Sequence, residues 1–311
     1  FEVTTSKAGV GSMYRFVFED KNGNIIKVKD PRSKSQPYDT DGWSRVVSDK
    51  FIWHDANWME GKDTRRLRNN SLDEDERLKA PARMIAQEIH IGSFTEKGDL
   101  EAAIEKLDEI EKDGIYNTVI VMPVTEFPGS INWGYDSADL FAVESSYGGV
   151  SNFKRFVNEA HKRGINVILD VVYNHSAYHH NLSKQLPMYY EDKKNNINDP
   201  NRMKPVWGPW IDHSKENVRN FIVDNALYWL KTCHCDGLRL DSPHSMTPTY
   251  GDYTIKEILS EVKEHCPDAI IISEEERDFL EISEDSHPDA KWNLKYPYYM
   301  KEFLTEGNSR R

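Results

Sequence analysis

The chain has 311 residues, of which 38% are hydrophobic and 11% aromatic, enough for one large domain or two moderate ones with a substantial core. That composition excludes a disordered chain. The formal net charge of −12, with no long basic run, argues against a nucleic-acid partner, and no apolar run approaches the ~18 residues of a membrane span.

The chain starts at Phe1, already inside what reads as a strand, so it is expected to be cut from a longer protein. SMYRFVFED and IIKVKD alternate apolar and polar positions and predict a hairpin turning at Asn22-Gly23-Asn24. DPRSKSQPYDTDGWSRV reads as a connector, and the highly charged residues 61–80 as a solvated loop or short helix. From residue 84 onward strands and helices alternate. A strand over 84–91 precedes a helix over 99–114, with Asp99 as N-cap and Gly114 as its stop. A strand over 116–124 and a helix over 149–164, capped by Ser151, follow. Next come a strand over 165–175, a polar and aromatic insertion over 176–212, and a helix over 214–232. Strand 235–241, helix 253–266, strand 268–275, strand 289–294 and helix 297–307 complete the pattern.

The strands are β-branched and almost continuously apolar, the mark of a parallel sheet covered by helices. An open doubly wound sheet and a closed β/α barrel both fit. The first strand lacks the Gly-rich loop of a nucleotide-binding sheet. Polar residues gather at the C-terminal ends of at least three strands, where barrel enzymes place their active sites. Cys233, Cys235 and Cys266 are too few for a disulfide framework, which suggests a reducing, cytoplasmic setting. Cys233-His234-Cys235 has the wrong spacing for a zinc knuckle and reads as ordinary packing. The N-x-S triplets at Asn69 and Asn181 read as chance matches.

The stretch CDGLRLDSPHSM, 235–246, puts charges into an apolar strand. Residues two apart share a face, so Arg239 and Asp241 point one way and Leu238 and Leu240 the other. Ile270, Ile272 and Glu274 share a face on the next strand, and Asp170 to His175 leave a third strand in polar residues. Two carboxylates in different environments suit glycosidic chemistry, one ionised as nucleophile and one protonated as acid. Arg239 is expected to lower the pKa of Asp241. Glu275, Glu276 and the apolar strand are expected to raise that of Glu274. A structural Arg–Asp pair beside an unrelated acidic turn fits the same spacing.

DVVYNH (170–175), GLRLDSPH (237–244), IISEEERD (271–278) and NWGYD (132–136) together resemble the signature segments of the α-amylase superfamily, glycoside hydrolase family 13. The resemblance runs along nearly the whole chain. It implies a (β/α)8 TIM barrel, here incomplete with about six strands. YRFVFED and DPRSKSQP resemble the tail of an N-terminal β-sandwich and its exit. The implied domains are 1–75, sandwich tail plus linker, and 76–311, the partial barrel. The resemblance makes Asp241 the nucleophile, Glu274 the acid/base and Arg239 the anchor of the nucleophile. It places Tyr135, Asp136, His175 and His244 against the sugar, with Asp170 and Asn174 in support. No metal or cofactor is implied, because the insertion after Asn174 is short for a calcium site. Within the family, MPVTEFPGSINWGYD and DNALYWLKTCHCDGLRLD resemble the trehalohydrolases, which act on maltooligosyl trehalose. The glycogen branching enzymes come next, and a catalytically inactive glucan-binding relative is the reading from another class. An α-glucan or maltooligosyl-trehalose substrate is implied. Ser242-Pro243 and SAYHHNLSKQL depart from the trehalohydrolase pattern at substrate subsites. The family's third carboxylate, in a His-Asp motif ending strand seven, has no matching segment. The piece itself is therefore expected to be truncated at both ends and inactive.

Overall fold

The computed structural model describes residues 5–36, 42–59, 84–177, 181–191, 207–246, 251–274, 287–293 and 295–306. The charged stretch 61–80, the middle of the insertion and the acidic pair Glu275 and Glu276 lie outside the described residues.

The front of the chain forms two small antiparallel sheets that resemble a β-sandwich remnant. Strand β1 (Met13–Tyr14) pairs with β4 (Ser44–Arg45), and β2 (Phe16–Glu19) pairs with β3 (Ile25–Val28). The predicted hairpin turn is present. Asp20 folds its carboxylate back to accept from the backbone N–H groups of Asn22 and Asn24 at 2.8 and 2.9 Å. Gly23 supplies the left-handed residue, at φ 80°. Just past β3, the Lys29 ammonium donates to Asp139 at 2.6 Å inside the protein. Both side chains are sealed from water, and this pair ties the front sheets to the barrel.

The barrel strands are β5 (Ala86–Ile89), β6 (Thr118–Val121), β9 (Asn166–Val171), β10 (Gly237–Leu240), β11 (Ile270–Ser273) and β12 (Ala290–Lys291). They lie in the order β5-β6-β9-β10-β11-β12, all neighbours parallel, and curl into an incomplete TIM barrel. All six coincide with strands expected from the sequence. Between β6 and β9 the chain adds an antiparallel hairpin, β7 (Thr125–Glu126) with β8 (Asp139–Val143). The sequence reading missed it, because a short buried apolar run such as LFAV carries no alternation to identify it.

Helix α1 (Leu100–Asp113) starts and stops as predicted. The Asp99 carboxylate accepts from Ala102 N at 2.9 Å, and Gly114 closes the helix in the left-handed region at φ 61°. Helix α2 (Gly149–Lys162) corrects one expectation. Ser151 lies inside it, and the N-cap position is Gly148, with no side-chain cap. The chain reaches this helix from a 3-10 turn over Ser145–Tyr147, which sets the entry direction before Ser151 is reached. Helix α3 (Glu216–Leu227) runs on into a π turn over Tyr228–Thr232. Helices α4 (Gly251–His265) and α5 (Tyr296–Glu306) follow. No helix among the described residues is long and apolar enough to cross a membrane.

Strand alternation sorts the core into two bodies. Val119, Val121, Val167, Leu169, Leu238, Leu240 and Ile271 point outward and join the large core beneath the helices. Ile120, Ile168, Ile270 and Ile272 point inward and pack with Met84, Ala86, Ala290 and Trp292. Each such side chain contributes roughly 1.5–3 kcal/mol on burial. Gly237 sits on the inner face, in register with Ile168 and Ile270. A Cβ there would lie 2.2 Å from the Ile270 carbonyl oxygen and 3.0 Å from Ile168 Cδ1. Gly237→Ala is therefore expected to destabilise the protein by about 1–3 kcal/mol through overpacking, read as a lower urea midpoint at unchanged slope.

The N-terminal ends of β9 and β10 hold a buried polar cluster. The His161 ring bonds Asp55 through Nδ1 at 2.8 Å and Asp236 through Nε2 at 3.0 Å. His234 Nδ1 bonds the same Asp55 oxygen at 3.0 Å, and Trp58 Nε1 donates to Asp236 at 2.6 Å. Trp58 stacks on His161 and Trp53 on His234. Cys233 and Cys235 are buried in the neighbouring core, and burial pushes the Cys233 thiol up to about 12. Both cysteines thus serve packing, as the spacing suggested.

Candidate active site

Parallel register brings Asp170, Arg239 and Ile272 side by side on β9, β10 and β11. The ladder continues one residue further at each exit: Asp241 N donates to Val171 O at 3.0 Å, and Glu274 N to Leu240 O at 3.1 Å. These bonds hold Asp241 and Glu274 at the C-terminal mouth of the strands, where both remain partly open to solvent.

Arg239 is the hub. Its Nη1 donates to Asp170 Oδ2 at 2.7 Å and to Asp241 Oδ1 at 3.1 Å, and its Nη2 pairs with Glu274 Oε1 at 3.0 Å. One face of the guanidinium lies 5.2 Å from the Trp292 ring, within cation–π range. Tyr135 OH donates to the same Asp170 oxygen at 2.8 Å. Tyr135 is delivered by the loop that joins β7 to β8. There Gly134, at φ 93°, passes so close to Pro123 that a Cβ would lie 2.1 Å from its carbonyl oxygen. Asn132 braces that loop, accepting from Gly134 N at 2.8 Å and donating to Asp136 at 2.9 Å.

From β9, Asn174 Nδ2 donates to the Asp241 carbonyl at 3.1 Å and to its carboxylate at 3.2 Å. His175 Nδ1 is bonded to Asn174 Oδ1, which fixes Nδ1 as the protonated nitrogen. Its Nε2 is then an acceptor, buried and without a partner. Burial pushes the His175 pKa down to about 4 despite the charge of Asp136, so the ring is neutral near pH 7. Trp207 and Trp210 flank this imidazole at 5.8 and 6.3 Å between ring centres. His244 sits on the far side, its Nε2 3.3 Å from Ser242 Oγ.

Three carboxylates sharing one guanidinium carry two negative charges in excess when all are ionised. Burial pushes Asp170 up to about 8, against the pull of Arg239 and with the push of Asp241. Asp241 is also raised, first by burial and then by the charge of Glu274, which together outweigh Arg239. The expected lowering of Asp241 is therefore overturned. Arg239 pulls as anticipated, but it is divided among three acids in a dry site.

All nine residues singled out in the sequence lie at this mouth or on the loops that form it. Tyr135, Asp170, Asn174, Arg239, Asp241 and Glu274 form one connected network with His175, while Asp136 and His244 stand at its rim. Two members were missed. Trp292 was legible in principle, since alternation from the inward Ala290 returns it to the inner face. The Ser242 backbone N–H, which donates to Glu274 Oε2 at 3.0 Å, was not, because nothing in the sequence marks a serine as left-handed. Among the described residues, the group of His and acidic side chains close enough to share a cation is Glu261, Glu264 and His265, on the surface of α4.

Residues 17–306 match the Alpha-amylase family, described as alpha amylase, catalytic domain. The chain belongs to the alpha-amylase family. Within it, the chain is 33% identical to the malto-oligosyltrehalose trehalohydrolase of Saccharolobus solfataricus, over 98% of this chain and 50% of that protein. It is 30% identical to the 1,4-alpha-glucan branching enzyme GlgB of Bacillus cereus, over 89% of this chain and 42% of that protein. Among solved structures, it resembles a Salmonella typhimurium protein assigned as an alpha amylase, with TM-score 0.74 and 28% identity over 96% of this chain and 47% of that one. The chain thus spans about half the length of the curated relatives it matches. This alpha-amylase family barrel carries its carboxyl–guanidinium network at the strand ends, where such barrels place their chemistry.

Proposed function

We propose that this chain carries the nucleophile and the acid/base of a retaining glycosidase that acts on α-1,4-glucan oligosaccharides and releases trehalose from maltooligosyl trehalose. The observation that carries the chemistry is the attachment of Asp241 and Glu274 to adjacent nitrogens of Arg239. Carboxylates held this near each other suit the retaining pattern, at about 5 Å, better than the wider spacing that makes room for a water.

Asp241 attacks the anomeric carbon while Glu274 gives its proton to the leaving oxygen, so the glycosidic bond breaks as a glycosyl ester forms on Asp241. Glu274, now a carboxylate, takes a proton from water, which displaces Asp241 and restores the configuration. Arg239 and Asn174 hold Asp241 in line for attack. Tyr135 and neutral His175 offer a ring face and an acceptor nitrogen to the sugar, and Asp136 and His244 line the rim.

The trehalose-releasing specificity is supported by trehalohydrolases from several organisms that share 30–35% identity with the chain. The similarity to branching enzymes favours the second reading, in which a sugar hydroxyl replaces water as acceptor. The resemblance also implies a third carboxylate beyond the sixth strand, so the test uses the complete protein. It is incubated with maltosyl-trehalose and with amylose, and the products are separated. Free trehalose supports hydrolysis, and new α-1,6 branches support transfer. Binding of glucan without turnover of either substrate would overturn both in favour of an inactive binding relative.

A further inference from the structure

Ser242 and His234 are the non-glycine residues with positive φ among the described residues, and only Ser242 lies at the active site. Its backbone sits at φ 40°, ψ 52°, a left-handed conformation that is unfavourable for a residue with a Cβ. Pro243 follows and disfavours the right-handed helical alternative at Ser242. The hydroxyl compensates. Ser242 Oγ bonds Ser245 Oγ at 2.7 Å and His244 Nε2 at 3.3 Å, and Ser245 N donates to the Ser242 carbonyl at 2.9 Å.

The product of this strain is one peptide group clamped between Asn174 and Glu274. The peptide joining Asp241 to Ser242 takes a hydrogen bond from Asn174 Nδ2 on its carbonyl at 3.1 Å. Its N–H donates to Glu274 Oε2 at 3.0 Å, while Arg239 holds Oε1. A fixed N–H at this oxygen stabilises the charge that appears on Glu274 as its proton leaves. An extended Ser242 would point that N–H elsewhere.

We infer that Ser242 is a positioning residue whose left-handed backbone aims the Asp241–Ser242 N–H at Glu274, setting the orientation of that acid. The inference rests on the proposed role of Glu274. It concerns Ser242-Pro243, where the sequence departs from the trehalohydrolase pattern.

Two substitutions in the complete protein separate backbone from side chain. S242G adopts the left-handed conformation freely and keeps the N–H. S242V puts a β-branched residue where positive φ is least tolerated, and so takes the N–H off Glu274. S242G is expected to lower kcat far less than S242V does, because it keeps the N–H in place. S242V is expected to lose about 10²-fold in kcat with KM little changed. Equal losses in the two variants, or a loss in S242V carried by KM rather than kcat, would overturn the assignment. If S242V does not fold, S242A decides. It keeps the Cβ but loses the compensating hydroxyl, so its kcat must fall below that of S242G, and equal kcat values overturn the idea. Wild-type protein that turns over neither glucan refutes the proposed function instead. The carboxyl 13C chemical shift of Glu274 at one pH, with E274Q as the assignment control, then tests the N–H contact without reference to activity: it must move in S242V and stay in S242G, and equal shifts in both overturn the idea.

Discussion

Asp241→Asn in the complete protein is expected to abolish turnover of maltosyl-trehalose and amylose, whereas Glu274→Gln lowers it about 10²–10⁴-fold. The difference follows from what each oxygen does. An amide at position 241 keeps one acceptor oxygen for Arg239, and Asn174 keeps its bond to the residue 241 carbonyl, but the amide offers no carboxylate to form the glycosyl ester. An amide at position 274 keeps one of its two contacts, with Arg239 or with the Ser242 N–H, through its single oxygen and holds no transferable acidic proton. A substrate whose leaving group needs no proton, such as a maltosyl fluoride, separates the roles. The Glu274→Gln protein still glycosylates Asp241 with it, while the Asp241→Asn protein does not. Without a base to activate water, the Glu274→Gln protein accumulates the ester, seen as an added glycosyl mass on the peptide containing Asp241. Normal turnover in Asp241→Asn would refute the proposed mechanism.

His161 is the second place where one substitution has a large expected effect, this time on stability. Burial opposes a charge on its ring, yet Asp236 and Asp55 outweigh that and raise its pKa to about 8. Burial likewise opposes the charge of Asp55, but hydrogen bonds from His161 and His234 hold its pKa below the usual carboxylate range. The ring is thus an imidazolium between two acids, and it fastens residues 55–58 to α2 and to the start of β10. His161→Ala leaves two buried carboxylates without their shared cation, with an expected loss of about 3–5 kcal/mol. The pH dependence has a definite sign. Because the folded pKa lies above the unfolded value, the stabilising contribution is complete below about pH 6.5 and is lost as pH rises through 8. Its size is about 2 kcal/mol. Urea unfolding at pH 6 and pH 9 measures it. Asp170 titrates in the same window, so the quantity to compare is the change between the two pH values in wild type and in the variant. An identical change in both would show that the ring carries no extra proton in the fold.

The large elements were legible because their patterns repeat. The five apolar positions buried on α1 recur at helical spacing from Leu100 to Ile110, and the caps at Asp99 and Gly114 sit where their chemistry requires. The strands announced themselves as β-branched runs, and period-two alternation alone separated Arg239 and Asp241 from Leu238 and Leu240. Expectations failed where a single residue answers to neighbours distant in sequence. Ser151 could cap a helix, but the 3-10 turn before it starts the helix three residues early at Gly148. Residues 139–143 are a strand because Thr125 and Glu126 lie alongside to pair with them.

By itself, the sequence determined the alternation of strands and helices, the face on which each charge lies, and the family whose motifs Asp241, Glu274 and Arg239 occupy. These are local properties, set by the fixed periods of backbone geometry. Only the tertiary structure decided how the charges share their surroundings. Arg239 looked like the partner of one carboxylate two residues away, and strand register gave it three. Proton affinity depends on burial and on every charge within a few ångström, so Asp241 moved up where its sequence neighbour alone would have moved it down. The left-handed turn at Ser242 belongs to the same class, since its N–H acquires a purpose only when β11 brings Glu274 alongside.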